Sequence, residues 1–590
     1  MSFCPAVTDP ASQSNGIPLK QLVSDSQQDL PNLRDEDDAR QNSVMVIVII
    51  CVLFAAGVTV ALIIHIFPSQ VLVQGVVVSD HQLCSALGQK VLDDHGSSVD
   101  AAISATMCLG VVHPHVTGMG GGGVMLVHDL RMDETRVIHF QGTAPKALKE
   151  QMLQSVSDVQ PGLQVGVPAM LRGLIQAHRL YGRLSWVDVV RRAAHLARDG
   201  VNVSQSLFEA ILKVKGQQLS QHFRDLFLPD GKALQPGSVL RIPGLAEVLE
   251  ADPSNFYNGN LSEEMEEEVK DGGVLSREDM RNYSAEVTRP LEGLYHVPPP
   301  PSVGAALISA LNVFEGFQLE NSTEQQTYHW VAEALKAALV MASSLGDSKY
   351  DPSVHELLSD MLSKSQAQVI GQRINASHPS PPELFSTVHS RQMELKAGQV
   401  LVMGPDDLMV SVSSSLNRPF GSRIITQSGI ILNSLILDFS WPNKTKGVGG
   451  SNPAPPRNRV HPGQRPLSPL MPTIVVPSWR GCGLHMALSS SDIHSLSAIA
   501  QVLISELSSH KKTNGSLSLR GVYPELQPDR LLVDSEFLED GVQFLLQKGH
   551  MTQRVETTSV VQGIQRNKDI IKAMPRNEAV LTLKDPNIHL

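Results

Sequence analysis

Residues 118–130 read GMGGGGVMLVHDL, a run of glycines that leads directly into an apolar segment. Glycine permits close backbone approach and positive φ, so the run predicts a tight loop that enters a β-strand. A phosphate-binding loop would instead follow a strand, open a helix and carry Lys-Ser or Lys-Thr at its end. The segment therefore indicates closely packed backbone, and it is a poor candidate for a dinucleotide or phosphate site.

Helix and strand patterns alternate on both sides of this glycine run. The periodicity of apolar residues predicts helices at 83–92, 99–109, 168–200, 207–215, 262–272, 303–315, 325–345 and 353–373. It predicts strands at 71–80, 400–402, 409–415, 430–433 and 474–476. The stretch 442–469 is rich in Pro, Gly and Asn without apolar periodicity, so it predicts a long surface loop or flexible insertion. The order of elements is typical of a layered α/β fold.

Composition excludes several classes of protein. The chain has 590 residues, a net charge of −11 and 42% hydrophobic residues, which is an ordinary folded composition. A mildly acidic chain without a basic block offers no electrostatic footprint for nucleic acid. Five cysteines are too few for a scaffold built on disulfides.

One segment has the length and composition of a membrane anchor. Val44–Phe67 is 24 residues long and contains no Lys, Arg, Asp or Glu, which is long enough to span a bilayer as a helix. Arg34 and Arg40 precede this span, and the next basic residue after it is Lys90. Because basic residues are retained in the cytosol, we expect a single-pass type II protein of the plasma membrane with an extracellular C-terminal part.

The distribution of glycosylation sequons agrees with this topology. All seven Asn-x-Ser/Thr sites follow the span, at Asn202, Asn260, Asn282, Asn321, Asn375, Asn443 and Asn514. Residues 1–43 contain no sequon, and their polar composition with the acidic run Asp35–Asp38 predicts a disordered cytoplasmic tail.

Collinear motifs across most of residues 71–590 resemble the γ-glutamyltransferase family, also called glutathione hydrolases. The resemblance rests on Cys84-Ser-Ala-Leu-Gly88, Gly96–Ala102, Gly118–Gly122, Val167-Pro168 with Arg172-Gly173, His178 with Tyr181–Trp186, Asp271–Leu275 with Glu278-Asp279 and Asn282-Tyr283, Pro299–Pro301, Asn417 with Phe420–Ser422, Gly429–Asn433 with Asp438-Phe439, and Pro466–Ser468 with Pro472-Thr473. Variants at 404–407 (GPDD), 414–417 (SSLN) and 437–443 (LDFSWPN) are similar to one subgroup of that family.

The resemblance implies an N-terminal-nucleophile hydrolase fold, an αββα sandwich. A precursor of this kind cuts itself before a Thr, whose hydroxyl then attacks a γ-glutamyl amide with its own α-amine as base. Such chemistry needs no metal or organic cofactor, and its substrates are extracellular glutathione and its conjugates. The implied organisation is a tail (1–43), a transmembrane helix (44–67), a heavy-chain part (68–396) and a light-chain part (397–590). A heavy/light heterodimer forms only where the chain is cut.

The chain departs from the family at the nucleophile. Counting back from Phe420-Gly-Ser422 without a gap places Ala397-Gly398-Gln399 where the family has Thr-Ser/Ala-His. Alanine has no hydroxyl, so it supports neither self-cleavage nor acyl transfer. The family's arginine clamp for the substrate α-carboxylate corresponds to Gln141, which replaces a bidentate cation by a neutral amide.

Other family positions are partly kept. The resemblance assigns Ser415 and Asn417 to hydroxyl and amide positions, and Asp438 to one of two acidic contacts for the substrate amine. The second acidic contact falls on Leu435. The Ser-Ser pair reads Ser468-Pro469, and of the two oxyanion amides one falls on Cys482 and the other on Gly483. The resemblance also implies a disulfide between Cys84 and Cys108, with Cys482 unpaired.

Two other segments are candidates for the nucleophile, and one segment is a candidate for a metal site. Thr387-Val-His389 mimics the Thr-x-His pattern but precedes a charged stretch, and Ser413–Ser415 reads better as strand and pocket lining. His113-Pro-His115 suggests a metal site, but two histidines without further ligands are more often polar groups of a loop.

Two functions are therefore open at this stage. One is a family member whose activity is removal of the γ-glutamyl group from extracellular glutathione and its conjugates, with turnover that we expect to be weak or absent because Ala397 replaces the Thr. The other is a non-catalytic relative that serves as a membrane-bound binding or regulatory glycoprotein.

Overall fold

The computed structural model describes residues 45, 48–49, 51–55, 75–153, 155–317, 323–374, 377–380, 396–442, 444, 456–477, 484–511, 521–556, 561–567 and 570–574. Two compact units are present, Met1–Val73 and Gln74–Leu590. The described residues of the first unit are helical and exposed.

The second unit contains strands from both halves of the chain. The strands are β1 (Val76–Ser79), β2 (Gly122–Asp129), β3 (Glu134–Phe140), β4 (Val201–Asn202), β5 (Val239–Leu240), β6 (Glu286–Thr288), β7 (Tyr295–His296), β8 (Gly398–Met403), β9 (Leu408–Ser415), β10 (Thr473–Val475), β11 (Leu484–Ser490), β12 (Val522–Leu526), β13 (Asp529–Asp534), β14 (Thr552–Val555), β15 (Val561–Asn567) and β16 (Ile570–Ala573).

Helices surround these strands. They are α1 (Gln82–Asp93), α2 (Ser98–Val112), α3 (Met170–Tyr181), α4 (Trp186–Asp199), α5 (Gln205–Val214), α6 (Gln221–Phe227), α7 (Pro243–Glu250), α8 (Ser254–Asn258), α9 (Asn260–Val269), α10 (Arg277–Asn282), α11 (Gly304–Glu315), α12 (Glu324–Ser343), α13 (Ser353–Leu362), α14 (Lys364–Arg373), α15 (Ser495–Lys511) and α16 (Glu539–Gln547). The layered α/β fold predicted from the sequence is confirmed.

Two antiparallel sheets form the centre of the unit. The first has the order β1-β8-β9-β2-β3-β6, and the second has the order β16-β15-β11-β10-β7. The hairpin β8–β9 pairs with β2 in the register Gly122↔Ser415 to Asp129↔Leu408. The strand that follows the glycine run therefore lies in the middle of the first sheet.

Successive residues of these strands face opposite sides of their sheet. One side packs against helices, and the other packs against the second sheet. In β2, Met125 and Val127 pack with α1 and α2, whereas Val124 and Leu126 face the core between the sheets. In β11, Ala487 faces that same core, whereas Met486 and Leu488 on either side of it pack against α11, α12 and α15. This period of two is the pattern of a strand buried on both faces. The second unit is thus built as helix, sheet, sheet and helix layers.

A disulfide joins the first two helices of the outer layer. Cys84 of α1 and Cys108 of α2 are bonded, with a Cα–Cα distance of 5.4 Å. This pairing was implied by the family resemblance and is confirmed.

Most of the predicted elements are present, but three predictions are wrong in detail. The helices predicted at 168–200 and 353–373 are each two helices, because Ser185 and Ser363 cap new helices within them. The strand predicted at 430–433 is absent, since Ile431 and Leu432 form only isolated bridges.

The loop predicted at 442–469 is also different in its described part. Val460, Gln464, Leu467 and Ser468 are buried. Arg465 is buried as well, and its guanidinium binds the carboxylate of Asp347 at 2.9 and 3.0 Å. Apolar periodicity indicates burial only where a segment forms a helix or a strand. This segment is held by side-chain hydrogen bonds instead, so its burial could not be predicted from its sequence pattern.

The predicted anchor and tail lie mostly outside the described residues. Of Val44–Phe67, only 45, 48–49 and 51–55 are described, and residues 1–43 are not. Among the described residues, no helix combines the length and the apolar character that crossing a membrane requires.

Candidate functional site

Ala397 lies immediately before β8, where the two sheets face each other. Its side chain is 2% exposed and packs in the core between the sheets. Its N–H donates to the carbonyl of Ser491 at 2.7 Å, and the preceding residue, Lys396, forms a β-bridge with Asp492. A methyl group cannot attack a carbonyl, so the side chain of Ala397 cannot act as a nucleophile.

Three of the predicted site residues form a chain of hydrogen bonds that begins at the peptide bond before Ala397. Ser415 Oγ donates to the carbonyl oxygen of Lys396 at 2.5 Å and accepts from the backbone N–H of Asn417 at 2.8 Å. The Asn417 side-chain amide donates to Asp438 Oδ2 at 2.8 Å. A hydroxyl that donates to a carbonyl oxygen stabilises negative charge there, as oxyanion donors do. The arrangement can therefore polarise the Lys396 carbonyl, although no attacking group stands beside it at position 397.

The position of the predicted carboxylate clamp carries no charge. The Gln141 side-chain amide donates to the carbonyl of Pro466 at 2.7 Å, and Tyr283 donates to the backbone carbonyl of Gln141 at 3.0 Å. Leu435 is buried, and its Cδ2 atom lies 3.2 Å from where a Cβ on Gly142 would stand. A neutral amide and an apolar side chain thus occupy this neighbourhood.

Arg465 is the residue next to Pro466, but its guanidinium is already bound. It contacts Asp347 and lies 3.3 Å from Glu286. These carboxylates raise the pKa of Arg465 although burial acts in the opposite direction. The guanidinium serves as a structural ion pair and does not replace a substrate clamp.

Of the two remaining predicted binding positions, the structure describes Ser468 but not Gly483. Ser468 is buried, its Oγ accepts from the N–H of Leu470 at 3.2 Å, and its backbone bridges Ser302. Gly483 and its neighbour Cys482 lie outside the described residues.

The serines considered as substitute nucleophiles contact other hydroxyl groups. Ser413 Oγ lies 2.8 Å from Ser489 Oγ, and Ser414 Oγ lies 2.8 Å from Thr117 Oγ1. A hydroxyl is not a general base, so these contacts do not activate either serine. Thr387 and His389 lie outside the described residues.

The glycine run is explained by backbone contacts around the site. A Cβ at Gly120 would lie 2.0 Å from the carbonyl oxygen of Ile431, and a Cβ at Gly123 would lie 2.4 Å from that of Ser413. Only glycine permits such an approach without displacing the neighbouring main chain. The run thus brings β2 against the strand and loop that carry Ser415 and Asn417.

Asp80 is a polar residue near the site that the sequence patterns did not indicate. Its carboxylate accepts from the backbone N–H of Gln399 at 2.7 Å, from the Gln399 side chain at 3.2 Å and from Gln562 Nε2 at 2.7 Å. It joins the end of β1 to β8 and to β15 in the opposite sheet. Burial raises the pKa of this carboxyl to about 7, despite the donors that favour its charged form. A single Asp that follows a strand gives no signal of this role in the sequence.

His113 and His115 lie in the loop after α2 and make ring contacts. Their ring centroids are 5.5 Å apart, and His115 lies 5.9 Å from the ring of Phe420. Burial lowers the pKa of His113 to about 4 and that of His115 well below its ordinary value. In the part of the chain that the structure describes, no group of three or more His, Cys, Asp or Glu side chains is arranged to hold a metal ion.

Known proteins resemble this chain along nearly its whole length. The family profile described as Gamma-glutamyltranspeptidase matches residues 84–579. Glutathione hydrolase 7 of Homo sapiens is 45% identical over 99% of this chain and 88% of its own length, and the Rattus norvegicus protein gives the same values. Glutathione hydrolase 2 of Arabidopsis thaliana is 30% identical over 77% of this chain and 81% of its own.

Solved structures agree at the level of the fold. The cephalosporin acylase from Bacillus halodurans superposes with a TM-score of 0.69 at 22% identity, covering 84% of this chain and 92% of that one. The subgroup indicated by residues 404–407, 414–417 and 437–443 is glutathione hydrolase 7, and the identity to the human and rat proteins confirms this expectation. The profile match and these relatives show that the chain belongs to the γ-glutamyltranspeptidase family.

Proposed function

We propose that this protein is a membrane-anchored glycoprotein of the γ-glutamyltranspeptidase family that does not turn over γ-glutamyl amides. The observation that carries the proposal is Ala397, a buried methyl side chain at the position where the family resemblance expects the nucleophile. Without a hydroxyl there is no acyl-enzyme, and without cleavage before residue 397 there is no α-amine to act as base. The protein then acts by binding a ligand or a partner.

The environment of the substrate head supports the same proposal. A γ-glutamyl head carries an α-carboxylate and an α-amine, and each is held most strongly by an opposite charge. Gln141 provides no cation for the carboxylate, and Leu435 provides no anion for the amine. Only Asp438 of the expected charged contacts is present, and its carboxylate binds Asn417. We therefore expect weak recognition of glutathione.

Compartment and topology complete the proposal. The apolar segment Val44–Phe67, the basic residues before it and the seven sequons after it support a type II anchor in the plasma membrane. The disulfide between Cys84 and Cys108 supports an oxidising compartment for the large unit. Asn202, Asn260 and Asn282 are exposed, as glycan acceptors must be.

Hydrolysis or transfer of γ-glutamyl groups is the second candidate. It is favoured by the contact of Ser415 with the Lys396 carbonyl, which is the geometry that would assist attack on this peptide. It is also favoured by the names of the relatives at 45% identity, which are glutathione hydrolases. In that case another hydroxyl must replace the one that Ala397 lacks.

One experiment separates the two candidates. The purified full chain is incubated with a γ-glutamyl anilide, release of the aniline is followed, and the same sample is analysed on a denaturing gel. We expect a single polypeptide and no release above buffer. Release of aniline together with two fragments would establish the enzyme, and N-terminal sequencing of the smaller fragment would identify the nucleophile.

A further inference from the structure

Three histidines from the two opposing sheets meet between the layers. His128 comes from β2 of the first sheet, whereas His296 of β7 and His485 of β11 come from the second. The ring centroid of His128 lies 6.0 Å from that of His296 and 6.3 Å from that of His485. We call His128, His296 and His485 the inter-sheet histidine cluster.

One hydroxyl connects the two sheets within this cluster. Thr135 Oγ1 of β3 lies 2.8 Å from His128 Nδ1 and 2.6 Å from His296 Nδ1. Neutral imidazoles fit this arrangement, because the hydroxyl can donate to an unprotonated nitrogen of one ring and accept from the N–H of the other. His128 Nε2 is buried and has no hydrogen-bond partner among the described residues.

The surroundings disfavour positive charge on the cluster. His128 is 1% exposed, Thr135 is 4% exposed and His485 is 8% exposed. Burial, together with the proximity of His296 and His485, lowers the pKa of His128 to about 4, against the opposite influence of Asp133 and Asp129.

The pKa of His296 is lowered by burial in the same way, although Glu292 and Asp133 oppose the change. Asp133 and Glu292 are exposed and Asp129 is half-buried, so water screens their attraction for the buried rings. These acidic groups therefore offset only part of the effect of burial on the cluster.

We propose that the inter-sheet histidine cluster is an acid-responsive contact that holds the two sheets together when its imidazoles are neutral and loosens them when protons bind. Two cations within a few ångströms of each other in a buried interface repel strongly, and neither is solvated by water. Ala397 lies in the core between the same two sheets, so loosening them also opens the candidate site.

The sign of the effect follows from the direction of the pKa changes. A histidine whose pKa is lower in the folded than in the unfolded chain stabilises the fold fully above its ordinary pKa. This contribution is lost progressively as the pH falls from about 6.5 towards 4. For His128 alone, these two values correspond to a rise of roughly 30-fold in the unfolding equilibrium constant between pH 7.5 and pH 5.

The first test reads each histidine in the native full chain. Hydrogen–deuterium exchange at the imidazole carbon between the two nitrogens, followed by mass spectrometry across a pH series, reports the pKa of each ring. We expect the pKa of His128 to lie well below the ordinary value for a histidine. A pKa of His128 at or above that ordinary value would overturn the proposal.

The second test uses variants of the full chain in detergent, unfolded with urea at pH 7.5 and pH 5. We expect His128→Gln to reduce the acid-induced rise in the unfolding equilibrium constant by roughly 30-fold relative to the parent protein. Buried histidines outside the cluster, such as His113 and His115, still contribute acid sensitivity in this variant. His355→Gln, on the exposed face of α13, should keep the full acid sensitivity of the parent protein. Where His128→Gln does not fold, His485→Gln serves instead, because it removes one of the two rings that face His128. Equal acid sensitivity in the parent and the cluster variant would refute the proposal.

Discussion

Ala397 differs from the Thr that the family resemblance expects at this position by one hydroxyl and one methyl group. Around it, Ser415 contacts the carbonyl of Lys396, and Asn417 contacts Ser415 and Asp438. The local geometry that polarises the peptide is therefore independent of the side chain at position 397. Under the proposed function, chemistry is lost at one atom, and recognition is lost separately at Gln141 and Leu435.

Restoring the hydroxyl should restore cutting without restoring turnover. We expect Ala397→Thr to produce two fragments on a denaturing gel, because the Lys396 carbonyl is already polarised, while Ala397→Val, of the same shape, stays intact. Hydrolysis of glutathione should remain low, since two charge-assisted contacts are absent and binding is weaker by roughly 10²–10⁴. Normal hydrolysis by Ala397→Thr would show that Gln141 and Leu435 do not limit recognition.

Ser415 should also matter for stability. Ser415→Ala leaves the Lys396 carbonyl and the Asn417 N–H without their hydrogen-bond partner, which costs about 1–3 kcal/mol in the free energy of unfolding. Urea titration of the full chain measures this change. Ser359→Ala, at an exposed position of α13, is the matched control and should change stability little. Equal stability of the two variants would mean that water or a rearranged loop replaces the hydroxyl.

At the scale of elements, the hairpin β8–β9 organises the first sheet. Its turn contains Asp406, whose carboxylate accepts from the backbone N–H of Ser98 at 2.9 Å and from its hydroxyl at 2.5 Å. Ser98 is the first residue of α2, where a negative charge is favourable to a helix. The hairpin that follows Ala397 is thus fastened to the helix that carries Cys108.

The disulfide between α1 and α2 should make a measurable contribution to stability. The two cysteines are separated by 24 residues, and closing a loop of this size is worth roughly 3 kcal/mol in the chain-entropy account. We expect the double variant Cys84→Ala and Cys108→Ala to lose stability of this order in urea titration. Peptide mapping without reductant should recover the two cysteines in one linked peptide, and a free Cys84 would contradict the pairing.

At the scale of the whole molecule, residues on both sides of position 397 build the same sheets. The strands β1, β2 and β3 precede it, and β8 and β9 follow it, all within the first sheet. The predicted light-chain part (397–590) and the predicted heavy-chain part from residue 74 onward therefore lie in one unit, Gln74–Leu590. A cut before residue 397 would leave this unit held together by β-sheet pairing.

The predicted topology can be tested on intact cells. We expect protease added outside the cell to spare a tag at the N-terminus, because the basic residues before Val44–Phe67 retain the tail in the cytosol. Endoglycosidase treatment should lower the apparent mass through glycans at the exposed Asn202, Asn260 and Asn282. Digestion of the N-terminal tag from outside would reverse the orientation.

The family and the layered fold could be predicted from the sequence, and the absence of a nucleophile at position 397 stays a prediction. Glycine runs, N-caps and alternating apolar residues are local patterns, so they are visible without the fold. The breaks at Ser185 and Ser363 have a local signal too, since a serine can cap a new helix. The buried segment around Arg465 has no such signal, because its partner Asp347 lies more than a hundred residues away.

The sequence by itself determined which atoms the protein possesses at the candidate site: a methyl group at 397, an amide at 141 and an apolar side chain at 435. Only the tertiary structure decided which of them meet. The contact between Ser415 and Lys396, the carboxylate of Asp80 between Gln399 and Gln562, and the three histidines between the sheets all join residues from different strands. Contacts of this kind depend on strand register and on the packing of one sheet against another, and a linear pattern does not encode either of these locally.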